Sequence, residues 1–222
     1  MDRGKRLWTR VLLAMLAAVL VSPLARACYS GLVIIPTTDV TGDWMWAVDI
    51  QWQGTSRLFK TDAFVLNTEV GMGERFEMGL DFDLSDGAED RTLFNAKYVF
   101  LKSAKGRFSA ALGLQNTTND FRSSPYLVTT TDWGPLRTHL GLQRTPGEDR
   151  TDPILGVDRI VNGKWQFMAD YTRGDGNFAS VGVGYTFQSW QIVAGAQWPN
   201  GGGKPVVVVH VIFCGPLSRK GG

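Results

Sequence analysis

The chain has 222 residues, of which 44% are hydrophobic and 20% are charged, with 23 Lys+Arg against 21 Asp+Glu. The small basic excess belongs to the first 27 residues, because the remaining 195 carry 18 basic and 20 acidic residues. This balance argues against nucleic-acid binding, which requires a basic patch, and the length is that of one domain.

Residues 1–27 are predicted to be a cleaved export signal. Basic side chains within residues 3–10 precede an apolar run at 11–21, and small residues flank Arg26 at a predicted cleavage site. The apolar run has eleven residues, whereas a membrane-spanning helix needs about 20. Two alternatives stay open at this point: a retained N-terminal anchor, and a lipid attached to Cys28.

A short lead-in, residues 28–43, is expected next, on the periplasmic side of an outer membrane. Its apolar stretch ends at Pro36, and polar residues follow. A β-barrel domain is predicted at 44–213, with residues 214–222 as a C-terminal extension. The twelve predicted strands are residues 44–53, 62–71, 75–84, 92–101, 107–115, 125–132, 136–143, 153–160, 164–172, 178–187, 189–198 and 205–213.

The third of these segments shows most clearly why strands are predicted. Between residues 75 and 84, bulky apolar side chains occupy the even positions, while charged side chains or glycine occupy the odd ones. Successive side chains of a strand point to opposite faces, so this period separates an apolar face from a polar one. In a membrane barrel, the side chains expected to face lipid are Phe76, Met78, Leu80 and Phe82, and those expected to face the lumen are Arg75, Glu77, Asp81 and Asp83.

The connections favour a membrane barrel. Longer polar connections alternate with tight ones, the strand number is even, and both termini then lie on the periplasmic side. Tryptophans eight positions apart, such as Trp44 and Trp52, are typical of two aromatic girdles. The predicted fold class is therefore all-β, an antiparallel up-and-down transmembrane β-barrel of about twelve strands. The alternative is a soluble periplasmic β-barrel or sandwich, which would turn the same apolar faces inward around an apolar ligand.

Six segments form a recognisable succession along the chain: residues 30–38, 71–80, 95–98, 110–116, 155–158 and 168–171. Together they resemble the YjbH-type outer-membrane barrel proteins, which are linked to exopolysaccharide production. Thr38 and Asp158 depart from that pattern, where Ala and Glu are expected. The resemblance implies an accessory role in polysaccharide export or envelope structure, with polysaccharide or secretion components as partners.

No constellation of catalytic residues is recognisable in the sequence. The two histidines and two cysteines lie far apart without metal-ligand spacing, no nucleophile sits in a recognisable elbow, and the glycines form no phosphate loop. We therefore expect no enzyme activity, no cofactor and no metal. Besides the components named above, the expected partners are outer-membrane lipid and the barrel-assembly machinery, without nucleic acid.

A polar lumen is the candidate site. Charged side chains of both signs fall on the faces opposite the apolar residues, and they must pair or meet water, because burying an unpaired charge is costly. The sequence leaves open whether salt bridges plug the lumen or whether it is a narrow conduit. The predicted lumen-lining residues are Asp49, Glu69, Arg75, Glu77, Asp81, Lys97, Arg107, Arg137, His139 and Asp170.

Cys28 and Cys214 are predicted to form a disulfide. They lie near opposite ends of the exported sequence, yet closure of a barrel brings its first and last strands together. The compartment beyond the inner membrane is oxidising, which favours pairing of two cysteines in an exported protein. Lipidation of Cys28, with Cys214 as a thiol, is the alternative.

Overall fold

The computed structural model describes residues 30–55, 61–85, 92–118, 122–145 and 150–217. The predicted export signal at 1–27, Cys28 and the last part of the predicted C-terminal extension, residues 218–222, lie outside the described residues. Cleavage of the signal therefore stays a prediction.

Twelve antiparallel strands of the described chain close into one barrel, which confirms the predicted fold class and strand number. Each strand pairs with its neighbours in sequence, and β1 pairs with β12, so that closure leaves no unpaired sheet edge. The strands are β1 Met45–Thr55, β2 Thr61–Met72, β3 Phe76–Asp83, β4 Thr92–Lys102, β5 Phe108–Thr117, β6 Ser124–Asp132, β7 Arg137–Arg144, β8 Thr151–Val161, β9 Trp165–Thr172, β10 Phe178–Phe187, β11 Trp190–Pro199 and β12 Val206–Pro216.

The two ends of the barrel differ in their connections. Connections of two to five residues, at what we call the short-turn end, alternate with connections of five to eight residues at the long-loop end. The turn between β8 and β9 shows how the tight connections form: Asn162 and Gly163 have φ of 53° and 65°, as a two-residue hairpin turn requires. Strand β12 runs to Pro216, three residues beyond the predicted end at Phe213, because its pairing with β1 continues to Met45.

The outer surface of the barrel is apolar. Leu80, Leu140 and Trp198 are 42%, 54% and 46% exposed, whereas the alternate positions of the same strands point inward, as buried Glu77 shows. This orientation is the one that the membrane hypothesis predicts, because the soluble alternative would require the large apolar side chains inside. Within the described residues, the structure has no helix long and apolar enough to cross a membrane.

The interior is filled by a segment that precedes the first strand. Residues 30–42, which we call the plug, pass through the lumen, and Leu32, Val33 and Ile35 are at most 1% exposed. With lumen-facing side chains of the wall, these three residues form the hydrophobic core of the barrel. The lead-in is expected on the periplasmic side as residues 28–43, but its residues 30–42 are found inside the barrel, where their apolar side chains leave water.

The plug folds back on itself as a bend. Gly31 and Pro36 form an antiparallel bridge, and the Leu32 N–H donates to the Ile35 carbonyl at 3.0 Å. The Thr37 hydroxyl donates to the carbonyl of Ser30 at 2.9 Å. These bonds satisfy backbone groups within the segment, as an irregular chain enclosed by a barrel requires.

Candidate functional site: a plugged lumen

Two wall glycines make room for the apolar bend of the plug. A Cβ atom on Gly156 of β8 would lie 2.6 Å from Leu32 Cδ1 and 2.7 Å from Ile35 Cδ1. A Cβ atom on Gly182 of β10 would lie 2.7 Å from Val33 Cγ2. Cβ atoms essentially never approach another heavy atom within 3.0 Å, so the bend fits only because these positions lack side chains.

Asp170 of β9 holds the tip of the bend. Its side chain is buried, and its Oδ2 accepts a hydrogen bond from the Ile34 N–H at 3.1 Å. Within the described residues no lysine or arginine lies at salt-bridge distance from this carboxylate. A buried carboxylate in this situation depends on hydrogen-bond donors, so the plug backbone supplies what a cation supplies elsewhere.

A buried ion pair between β3 and β4 holds the two ends of the plug. Lys97 Nζ lies 2.7 Å from Glu77 Oε1 and also donates to the carbonyls of Ser30 at 3.2 Å and Asp39 at 2.6 Å. Glu77 Oε2 accepts the Thr41 N–H at 2.7 Å. Because the charges are paired and most of their hydrogen-bonding capacity is used, the cost of burying them is largely offset.

Arg137 links the plug to the opposite wall. Its guanidinium makes a bidentate contact with Asp158 of β8, through Nε to Oδ1 at 2.9 Å and Nη2 to Oδ2 at 2.8 Å. The same guanidinium reaches Asp39 of the plug, with Nη1 2.9 Å from Oδ2. The fork geometry of arginine allows it to bind both carboxylates at once, one on the wall and one on the plug.

Behind Arg137 lies a hydrogen-bonded chain with the order of a hydrolase triad. Thr130 Oγ1 is 2.9 Å from His139 Nδ1, and His139 Nε2 is 2.9 Å from Asp158 Oδ1. All three side chains are buried, and the Thr130 hydroxyl accepts a hydrogen bond from the Thr38 N–H of the plug at 3.4 Å. A nucleophile needs room for a reacting atom beside it, so this arrangement is that of a structural network.

Eight of the ten predicted lumen-lining residues contact the plug, another lumen side chain or the lumen cavity. The two others are corrections, since Arg75 and Arg107 are exposed in short turns, one residue before β3 and β5 begin. At the rim an arginine side chain reaches water, which is less costly than burial in the lumen. The eight residues in the lumen are Asp49, Glu69, Glu77, Asp81, Lys97, Arg137, His139 and Asp170.

The partners of these residues are not predicted from the sequence. Asp39 and Thr41 are expected in an external lead-in, and Asp158 is named only as a departure from the family pattern, yet all three bind the predicted lumen residues. Asp158 could have been found, because the alternation of β8 places it on the face of buried Ile154. No local pattern marks the two plug residues, since their partners lie 36 and 98 residues away.

Cys214 lies two strands away from Glu69, the wall residue that binds the start of the plug. Cys214 is buried and pairs in register with Ala47 of β1, which in turn pairs with Glu69 of β2. The Glu69 carboxylate accepts a hydrogen bond from the hydroxyl of Ser30 at 3.3 Å. Ser30 is two residues from Cys28, which lies outside the described residues, so the disulfide stays a prediction.

A cavity of about 350 Å³ lies between the plug and the wall formed by β12 and by β1 to β6. Its lining includes Asp83, Leu93 and Asn116, which lie next to the long-loop end, and Ser30 and Ile34 of the plug. The plug thus occupies the lumen toward the short-turn end, while the long-loop side keeps a chamber whose lining includes several carboxylates. Within the described residues, no group of three or more His, Cys, Asp or Glu side chains is arranged to hold a metal ion.

Comparison with known proteins identifies the architecture. No protein-family model matches the sequence, and no curated protein matches it. Among solved structures, a KdgM porin superposes with a TM-score of 0.55 at 12% identity, covering 75% of this chain and 98% of the porin. The chain has the fold of the KdgM porins. A second KdgM porin structure, in complex with disordered oligogalacturonate, superposes with a TM-score of 0.56 at 13% identity and the same coverage.

Proposed function

We propose that this chain is an outer-membrane β-barrel of porin type whose own N-terminal segment closes the lumen. The observation that carries this function is the plug, which is anchored by Asp170, Lys97, Glu77 and Arg137 inside a closed twelve-stranded barrel. These anchors are a few hydrogen bonds and ion pairs, and the chain tethers the plug to the wall where it enters β1. The plug can therefore leave its seat while it stays tethered, and the barrel is a channel that is closed at rest.

Three features support an outer-membrane location. Closed barrels of antiparallel strands satisfy all their backbone groups within the sheet, which the hydrocarbon core of a membrane requires. Large apolar side chains cover the outside, and exposed Trp133, Trp165 and Trp198 lie near strand ends, as aromatic girdles do. The KdgM porins share the fold. Outer-membrane lipid and the barrel-assembly machinery are accordingly the proposed partners.

We keep the accessory role in polysaccharide export or envelope structure as part of the proposal. The YjbH-type resemblance supports it, and so does the KdgM porin structure in complex with disordered oligogalacturonate, since a barrel of this fold there binds a sugar oligomer. The lumen of this chain carries mainly carboxylates, which would repel a polyanion such as oligogalacturonate. The glycan served by this barrel is therefore proposed to be neutral, and no catalytic step is involved.

Conductance in planar lipid bilayers tests the closed channel. The chain beginning at Cys28 is compared with a variant lacking residues 30–41, and removal of residues 218–222 serves as the control at the other terminus. We expect the plug deletion alone to produce large, stable openings. Equal conductance of the two deletion variants would contradict the proposal, and so would a protein that stays in solution without detergent.

A point variant covers the case in which the deletion prevents assembly. Asp170→Ala removes the acceptor of the Ile34 N–H while leaving every strand intact. We expect more frequent openings than in the wild type, with heat-modifiable migration on a gel verifying the folded barrel.

For the polysaccharide role, the gene is deleted and secreted glycan is measured. An unchanged amount in the deletion strain would remove that role and leave the channel untouched.

A further inference from the structure

The lumen cavity is strongly acidic on the side away from the plug. Among the described residues that line it, five are carboxylates and one is a lysine. The lysine is Lys97, which is committed to Glu77 at 2.7 Å and to two plug carbonyls. The carboxylates beyond this ion pair are Asp49, Glu69, Asp81 and Asp83.

Glu69 is occupied by the plug, but the three aspartates are not. The Glu69 carboxylate accepts hydrogen bonds from the hydroxyls of Ser30 and Thr41. Within the described residues, Asp49, Asp81 and Asp83 form no salt bridge with a lysine or arginine. They therefore place negative charge on the wall of one chamber, whose described lining also includes His210, 2.8 Å from Asp49 Oδ2.

Asp49 has an unused acceptor atom. The residue is only 9% exposed, and it belongs to the lining of the cavity. Its Oδ2 accepts a hydrogen bond from Asn67 Nδ2 at 3.1 Å and lies 2.8 Å from His210 Nδ1. Its Oδ1 has no hydrogen-bond partner among the described residues and is closed to solvent. A ligand donor reaches this oxygen when the carboxylate turns toward the cavity, and that contact would remove the cost of a buried oxygen without a donor.

Asp81 lies one strand further around the same chamber. Asn67 of β2, which donates to Asp49, is paired in register with Asp81 of β3, so the two carboxylates flank a single amide. Asp81 Oδ2 accepts one hydrogen bond, from Asn95 Nδ2 at 2.6 Å, and the residue is partly exposed to the cavity. Two carboxylates on one wall, separated by one strand, can each receive one end of a short cationic chain.

We propose that this cavity binds a small linear organic cation with ammonium groups, held by Asp49 and Asp81. The volume of about 350 Å³ lies in the range of small-molecule sites. An ammonium group donates three hydrogen bonds and forms short charge-assisted bonds to carboxylates. A bare metal ion would need a convergent set of several ligands, which the described residues do not form. The inference deepens the proposed function, because the cavity is part of the same lumen.

Calorimetric titration of the mature chain in detergent tests this site with three probes of equal carbon length. The probes are putrescine, 1,4-butanediol and succinate, which differ in charge. We expect putrescine alone to bind, with one molecule per barrel and with weaker affinity at high salt, where charge interactions are screened. Binding of succinate, or equal binding of butanediol, would overturn the proposal.

Variants assign the binding to the two carboxylates. Asp49→Asn and Asp81→Asn should each weaken putrescine binding about tenfold or more, since each removes one charge-assisted hydrogen bond. Asp175→Asn, in the exposed connection between β9 and β10, is the matched control and should bind as the wild type does. If Asp49→Asn does not fold, Asp81→Asn decides alone; wild-type affinity in that folded variant would refute the assignment. Binding in detergent is independent of conductance, so failure here and failure of the channel proposal are distinguishable.

Discussion

Arg137 and Asp39 form an ion pair that joins the barrel wall to the plug, with Nη1 2.9 Å from Oδ2. The two residues are 98 positions apart in sequence. The same arginine binds the plug and the wall, because it also makes a bidentate pair with fully buried Asp158 of β8. The plug is thus held by a side chain that the barrel itself needs, which allows the two roles to be separated by mutation.

Replacing either partner should have different consequences for stability. Asp39→Asn removes an ion pair whose aspartate side chain is 41% exposed, so we expect a loss of at most about 1 kcal/mol in the free energy of unfolding. Arg137→Ala leaves Asp158 buried without its cation and should cost about 3–5 kcal/mol. Urea unfolding in lipid vesicles, followed by tryptophan fluorescence, measures both. Equal losses for the two variants would show that Asp158 does not depend on Arg137.

Gly182 should be required for seating the plug. Gly182→Ala places a Cβ atom 2.7 Å from Val33 Cγ2, so we expect the bend to leave its seat. The control is Gly184→Ala, two positions along β10, where the nearest atom is the flexible end of Gln191 at 2.8 Å. Both are combined with Leu32→Cys, which leaves Val33 in place, in a chain whose native cysteines are replaced by serine. Faster maleimide labelling is expected only with Gly182→Ala; identical rates in the two variants would exclude glycine-dependent seating.

The apolar outer face should tolerate charge at its rim but not near its middle. Leu80, at mid-strand in β3, and Leu136, beside the short-turn end, are 42% and 40% exposed. We expect Leu80→Arg to reduce stability by about 2–4 kcal/mol and Leu136→Arg by about 0–1 kcal/mol, because the cost of charge falls toward the interface. Unfolding titrations in vesicles compare the two substitutions. A soluble protein would show no such dependence on depth.

The disulfide between Cys28 and Cys214 should tie the plug to the seam between β1 and β12. Ser30, two residues after Cys28, contacts Glu69, and Glu69 and Cys214 are both register partners of Ala47. In the chain-entropy model, a bond closing so long a loop contributes about 4–5 kcal/mol. Intact-mass measurement should show a gain of two hydrogens on reduction. An acyl-sized excess on the N-terminal peptide would instead support lipidation of Cys28.

The sequence alone was sufficient for the barrel wall. In β3, apolar Leu80 stands at an even position and charged Glu77 at an odd one. Even and odd positions of a strand point to opposite faces, whatever the neighbouring strands are. The Asn162-Gly163 turn is similarly local, because two residues with positive φ define a tight hairpin. Up-and-down closure follows when every connection is short, so strand order, strand number and most lumen-facing charges could be predicted from local patterns.

Only the tertiary structure decided what fills the lumen. Leu32, Val33 and Ile35 have no period that assigns them to one face, and their seats at Gly156 and Gly182 lie more than 120 residues further along the chain. The same holds for the acceptor of the Ile34 N–H, 136 residues away. Such contacts exist only after the barrel has closed and its inner face has brought residues from distant strands around one segment. The glycines and carboxylates that surround the apolar bend come from strands far apart in sequence. Its burial therefore depends on the enclosed lumen and cannot be predicted from any one stretch of sequence.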